Sequence, residues 1–118
     1  EHYGDDFSST GHLYLTRLPG ITEEERNRII INMAEAGIAT NVHYKPLPMF
    51  TAYKNLGFDI IDYPNALEMY QNEITLPLHT LLSDIEVSYV TDKLNKAIRE
   101  VLGIDKIQMG LKHVSELH

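Results

Sequence analysis

HLYLTRLPGITEEERNRIIINMAEAGIATNVHYKPLP, residues 12–48, sets the element order from which the rest of the chain can be read. His12–Leu18 alternates Leu13, Leu15 and Arg17 against Tyr14, Thr16 and Leu18, the period-two pattern of a strand, and Pro19-Gly20 turns the chain out of it. Thr22 and Glu25 then form a T-x-x-E capping box. Each side chain answers an exposed backbone N–H at a helix start, and Glu23 and Glu24 suit the positive end of the helix dipole. Ile29, Ile30, Met33 and Ala34 recur at helical spacing, so the helix is expected to reach about Ala36, with Gly37 closing it. Ile38–Tyr44 is rich in β-branched residues and bounded by Lys45-Pro46, where proline withdraws a donor; it reads as a second strand.

Working outward, Leu47–Gly57 should hold a short helix ending at Gly57, and Tyr63-Pro64 opens another through Ala66, Leu67, Met69 and Tyr70. Glu73–Leu78 is short, apolar and interrupted by Pro77, which fits an edge strand or a strand end lining something. Ser83 with Glu86 repeats the capping box. Val90, Leu94, Ala97, Ile98 and Val101 form an apolar helical stripe that ends at Gly103. Residues 1–11 are a polar lead-in, 12–103 the folded domain, and 104–118 an extension in which the pattern fades. This order implies an α+β or α/β-like small domain, with helices on one face of a small sheet and the second face open. Leu13, Leu15, Ile30, Met33, Val42, Ile74, Val90, Leu94 and Ile98 are expected to share one core.

The composition bounds the function. At 118 residues and 43% hydrophobic, the chain is one globular domain and neither disordered nor fibrous. Ten Lys and Arg against seventeen Asp and Glu leave a net charge of −7, so a long phosphate backbone would be repelled and nucleic-acid binding is not expected. A mononucleotide or sugar diphosphate is a different matter, because one or two local cations or backbone N–H groups suffice to hold it. The absence of cysteine removes disulfides, thiolate zinc sites and thiol catalysis, and fits a reducing compartment, with the cytoplasm as the expectation. No apolar run approaches the roughly 18 residues of a membrane span, so no membrane partner is expected. The chain begins at Glu1 and its first Met is Met33, the pattern of a piece of a longer protein.

Val42-His43-Tyr44-Lys45-Pro46-Leu47-Pro48 carries the densest chemistry: a titratable ring, a phenol and an ammonium at a strand end made rigid by two prolines. Strand ends are where α/β proteins present ligand groups. An imidazole exchanges hydrogen bonds with phosphates and hydroxyls near neutral pH, and a tyrosine both stacks and hydrogen-bonds. The bland reading is that Tyr44 packs and His43 is a half-exposed strand residue. The six histidines have no zinc-motif spacing, no G-x-S-x-G surrounds a serine, and no Gly-rich phosphate loop is present, so neither a metal nor a catalytic residue is expected in this chain. None of the six lysines has the apolar setting of a Schiff-base nucleophile.

Taken together, GHLYLTRLPGITEEERNRIIINMAEAGIATNVHYKPLPMFTAYKNLGF and DYPNALEMYQNEITLPLHTLLSDIEV, within Ser9 to Val101, closely resemble the C-terminal small domain of the DegT/DnrJ-type nucleotide-sugar aminotransferases. The resemblance implies a small, mostly antiparallel sheet with helices on one face, as in fold-type I aminotransferases. It also implies a parent enzyme that uses pyridoxal phosphate to move an amino group, usually from glutamate, to a nucleotide-linked keto-sugar in polysaccharide or amino-sugar biosynthesis. In that family the large domain of the same chain supplies the aldimine lysine and the cofactor cradle, and the parent is a homodimer. His43 and Tyr44 match the pair that faces the nucleotide-sugar, and Lys45 follows them as a third substrate-binding candidate. Ile85 departs from the family's frequently acidic residue at the start of the last helix. The competing class is a self-contained, non-catalytic metabolite-binding or interaction domain.

Overall fold

The computed structural model describes residues 4–103. The elements are β1 (Tyr14–Arg17), α1 (Glu23–Glu35), α2 (Thr51–Lys54), α3 (Pro64–Gln71), β2 (Glu73–Leu76) and α4 (Asp84–Leu102), with 3-10 turns at Leu47–Met49 and Ile60–Asp62. Both capping boxes form as the sequence dictates. Thr22 accepts from the Glu25 N–H and Glu25 from the Thr22 N–H, and Ser83 and Glu86 do the same at the head of α4. Gly37, at φ 78°, takes the left-handed turn that lets the chain leave α1.

β1 and β2 pair antiparallel, with Tyr14 opposite Leu76, Leu15 opposite Thr75, Thr16 opposite Ile74 and Arg17 opposite Glu73. Alternation then gives the sheet two unlike faces. Ile74 and Leu76 join Ile29 and Met33 of α1, Val90, Leu94 and Ala97 of α4, and the flanking Ile21 and Ile38 in one buried cluster. Leu15, Arg17, Glu73 and Thr75 belong to the opposite face. Polar clamps fix the helices around this core. Tyr89 donates its hydroxyl proton to the Ala36 carbonyl at 2.8 Å, tying α4 to the end of α1. Arg26, 1% exposed, donates from Nη1 to the Tyr70 carbonyl at 3.2 Å with its guanidinium 4.8 Å from the Tyr70 ring, while the Tyr70 hydroxyl donates to Glu23 at 3.1 Å. The last turn of α3 is thereby fastened to α1. By contrast, nothing from 47 to 63 is buried, so that excursion is held by its own local turns.

Two expectations need correction. The second strand, Ile38–Tyr44, reduces to a single antiparallel bridge between Asn41 and Thr75. Side chains take the donors a ladder would have used: Asn41 Oδ1 accepts the Val42 N–H and Glu73 Oε2 the His43 N–H, both at 2.8 Å. β2 is an edge of the two-stranded sheet, as expected, with the isolated Asn41 bridge on its other side, and it stops before Pro77. Leu15, 50% exposed, is excluded from the core because its register partner Thr75 lies on the other face of the sheet. Leu13 and Val42 are half-buried outside the cluster, and Ile30 and Ile98 pack on its margin. The extension at 104–118 lies outside the described residues.

Two measurements test this account. Ile74→Ala, at a fully buried site facing both helices, should lower unfolding free energy by about 2–5 kcal/mol in urea denaturation, whereas Ile31→Ala, 56% exposed, should change it by no more than about 0.5 kcal/mol. Glu86 accepts from the Ser83 N–H and hydroxyl, which holds its carboxyl below the ordinary 4.5. A folded-state value below the unfolded one means that the contribution is complete above about pH 4.5 and lost as pH falls through the depressed value. Glu86→Gln should therefore lose stability against the unsubstituted chain at neutral pH, with the difference shrinking in acid.

Candidate functional site

The sheet face away from α1 and α4 carries a shallow hollow of about 290 Å³, lined by Leu15 and Arg17 of β1, Glu73 of β2, His43, Tyr44 and Pro46 of the crossing segment (residues 38–46, which meet β2 at the Asn41–Thr75 bridge), and Ala66, Met69 and Tyr70 of α3. Each wall has a cause. The antiparallel register puts Arg17 beside Glu73, the Arg26 clamp sets the end of α3, and the Asn41–Thr75 bridge lays the crossing segment along β2.

Glu73 and Thr75 organise the polar side. Both are buried; Thr75 Oγ1 donates to Glu73 Oε1, and His43 Nδ1 lies 2.8 Å from Thr75 Oγ1. His43 is thus held at two points, its backbone N–H on Glu73 and its ring on Thr75. Arg17 Nε donates to Asn72 Oδ1 at 3.2 Å, which orients a guanidinium on the hollow's wall. Arginine presents a planar fork of donors suited to phosphate and carboxylate.

The structure brings His43 and Tyr44 together, joined by a cis peptide, with ring centroids 4.7 Å apart in an edge-to-face arrangement. Tyr44 is 70% exposed, so the bland reading that it packs into the body does not describe it. Lys45 is not among the lining residues; its ammonium lies 5.2 Å from the Phe50 ring centroid. Arg17, Glu73 and Thr75 were not singled out by sequence reasoning. For Glu73 and Thr75 the signal was present in E-I-T-L at 73–76, where polar and apolar residues alternate as on a strand with two different faces.

Among the described lysines, Lys45, Lys54 and Lys96 are exposed, and Lys93 is half-buried beside the Tyr89 ring. None has the desolvated setting that a Schiff-base lysine needs. No group of three or more His, Asp and Glu among the described residues could hold a metal ion. No helix among the described residues is long and apolar enough to cross a membrane.

The unit is a small α+β domain in which α1 and α4 cover one sheet face, while α3 and the segment around His43 border an open, largely apolar hollow on the other. The comparisons place it more narrowly. Residues 2–95 match the model of the DegT/DnrJ/EryC1/StrS aminotransferase family, and the chain belongs to that family. It is 31% identical over 103 residues to the spore coat polysaccharide biosynthesis protein SpsC of Bacillus subtilis, covering 83% of this chain and 25% of that one. It is 30% identical over 93 residues to the UDP-4-amino-4,6-dideoxy-N-acetyl-beta-L-altrosamine transaminase of Campylobacter jejuni, covering 79% and 24%. Spr1654 of Streptococcus pneumoniae, assigned as a sugar aminotransferase, superposes in its PLP form with a TM-score of 0.82 at 55% identity, over 86% of this chain and 26% of that one. The α+β fold is the one these neighbours share. The chain spans about a quarter of the length of the relatives it matches.

Tyr44→Ala should change stability by no more than about 0.5 kcal/mol in thermal or urea unfolding, because the ring is mostly in solvent. Removing the Glu73 carboxylate with Glu73→Ala should cost about 1–3 kcal/mol by the same measurement, because the Thr75 hydroxyl and His43 N–H lose a buried acceptor.

Proposed function

We propose that this chain is the C-terminal small domain of a pyridoxal-phosphate-dependent aminotransferase that moves an amino group from glutamate to a nucleotide-linked keto-sugar. The sheet face bearing His43 and Tyr44 forms one wall of its substrate cleft. The observation that carries this reading is the contrast between the two faces. One is sealed by α1 and α4, and the other leaves an anchored imidazole, an exposed phenol and a guanidinium around an open hollow. Names among the relatives support the reaction class, since one is a transaminase of a UDP-linked sugar and another serves spore coat polysaccharide synthesis.

In this reading the large domain of the same parent chain binds pyridoxal phosphate and supplies its lysine, two parent chains form a homodimer, and the product serves cell-surface polysaccharide or amino-sugar synthesis. When bound, the cofactor supplies the electron sink for amino transfer. The residues of this chain bind and orient the sugar. Arg17 faces the diphosphate, His43 and Tyr44 bond and stack against the sugar and nucleotide, and Lys45 adds positive charge at the rim.

The hydrogen bonds lost from the sugar and nucleotide in a double variant should together cost about 1.5–3 kcal/mol, or about ten- to a hundredfold in kcat/KM. In the intact parent, His43→Ala combined with Tyr44→Phe should lower kcat/KM for the nucleotide-sugar by that factor and leave the glutamate half-reaction nearly unchanged. Equal loss in both half-reactions, or loss in neither, would make the pair structural. Borohydride reduction of the 118-residue chain with pyridoxal phosphate should leave no stoichiometric phosphopyridoxyl adduct on a single lysine, as read by mass spectrometry.

A further inference from the structure

The hydrogen bonds on the β2 side of the hollow can be assigned donor by donor. A carboxylate only accepts. Glu73 accepts the His43 N–H at Oε2 and the Thr75 hydroxyl at Oε1. A hydroxyl has one proton, and Thr75 has committed it to Glu73, so toward His43 Nδ1, 2.8 Å away, Thr75 Oγ1 can only accept. The proton in that contact belongs to the ring. In neutral imidazole a proton on Nδ1 leaves Nε2 bare. Histidine side chains free in water prefer the opposite arrangement, so Glu73 and Thr75 impose this one. No described protein group bonds Nε2, and His43 lines the hollow.

We propose that Glu73 and Thr75 are positioning residues that hold neutral His43 as its Nδ1–H tautomer. Nε2 then presents an acceptor to the hollow and selects a ligand group that donates, such as a sugar hydroxyl or amide N–H, over an unprotonated phosphate oxygen. The identity of that ligand rests on the nucleotide-sugar reading above; the tautomer does not. Anionic groups are served on the same wall by Arg17.

Long-range proton–nitrogen correlation NMR on the 118-residue chain, at a pH where the ring is neutral, reads the tautomer directly. The expected result is a protonated Nδ1 and a bare Nε2. Thr75→Val keeps the side-chain shape without the hydroxyl and should move the tautomer ratio about tenfold toward the preference of free histidine, and Thr75→Ser should restore it. Glu73→Gln is an independent reversal. Its amide can donate to Thr75 and turn that hydroxyl toward Nδ1, so the ring proton should move to Nε2. A proton on Nε2 in the unsubstituted chain, or a ratio unchanged in both Thr75→Val and Glu73→Gln, overturns the assignment. Titrating UDP-N-acetylglucosamine and, separately, inorganic phosphate into the same sample tests the selection. The nucleotide-sugar should shift the Nε2 resonance and phosphate should not. No response to the nucleotide-sugar, or an equal response to phosphate, overturns it. An intact tautomer alongside a silent His43→Ala, Tyr44→Phe parent would instead sink the substrate-binding role proposed for the pair and leave the tautomer assignment standing.

Discussion

Glu73 is a carboxylate held almost entirely out of water, and such a group must find donors or lose the fold more than it contributes. It finds two, the His43 N–H and the Thr75 hydroxyl. Those bonds draw the crossing segment against β2 where a backbone ladder would otherwise have done so, and they set the depth of the His43 ring. The place of the His43 ring on the lining of the hollow follows from where this carboxylate is placed.

β2 manages two environments in four residues because alternation sends Ile74 and Leu76 one way and Glu73 and Thr75 the other. The apolar pair shares a core with α1 and α4, so the strand cannot slip by one residue without burying a carboxylate among isoleucines. The packing energy of the covered face therefore fixes the geometry of the open one. The Arg26 clamp extends the arrangement to α3, whose final residues complete the hollow's far wall.

Much of this was legible in the sequence where the determinants are local. Both capping boxes, the exit at Gly37 and the α4 stripe depend on residues a few positions apart, and each forms as its spacing implied. His43 and Tyr44 were legible as candidates from their density and the flanking prolines, and they do share one hollow. What was not legible depends on pairing between distant segments. The register that turns Leu15 outward joins residues 60 positions apart, and the bonds that dissolve the second strand reach from His43 to Glu73, 30 positions on. The Arg26–Tyr70 clamp, 44 positions apart, belongs to the same class. Periodicity sees a single segment and cannot say which partner a side chain will meet.

The unburied excursion from 47 to 63 has an entropic consequence. It leaves the body just past the crossing segment and returns at α3, so to the rest of the molecule it acts chiefly as a tether whose two ends are pinned. The cost of pinning a tether grows only with the logarithm of its length, and doubling it adds about 0.6 kcal/mol. Residues could be added or removed there at almost no expense to the sheet and helices, which makes this rim the part of the domain whose reach can be re-cut without rebuilding the wall behind it.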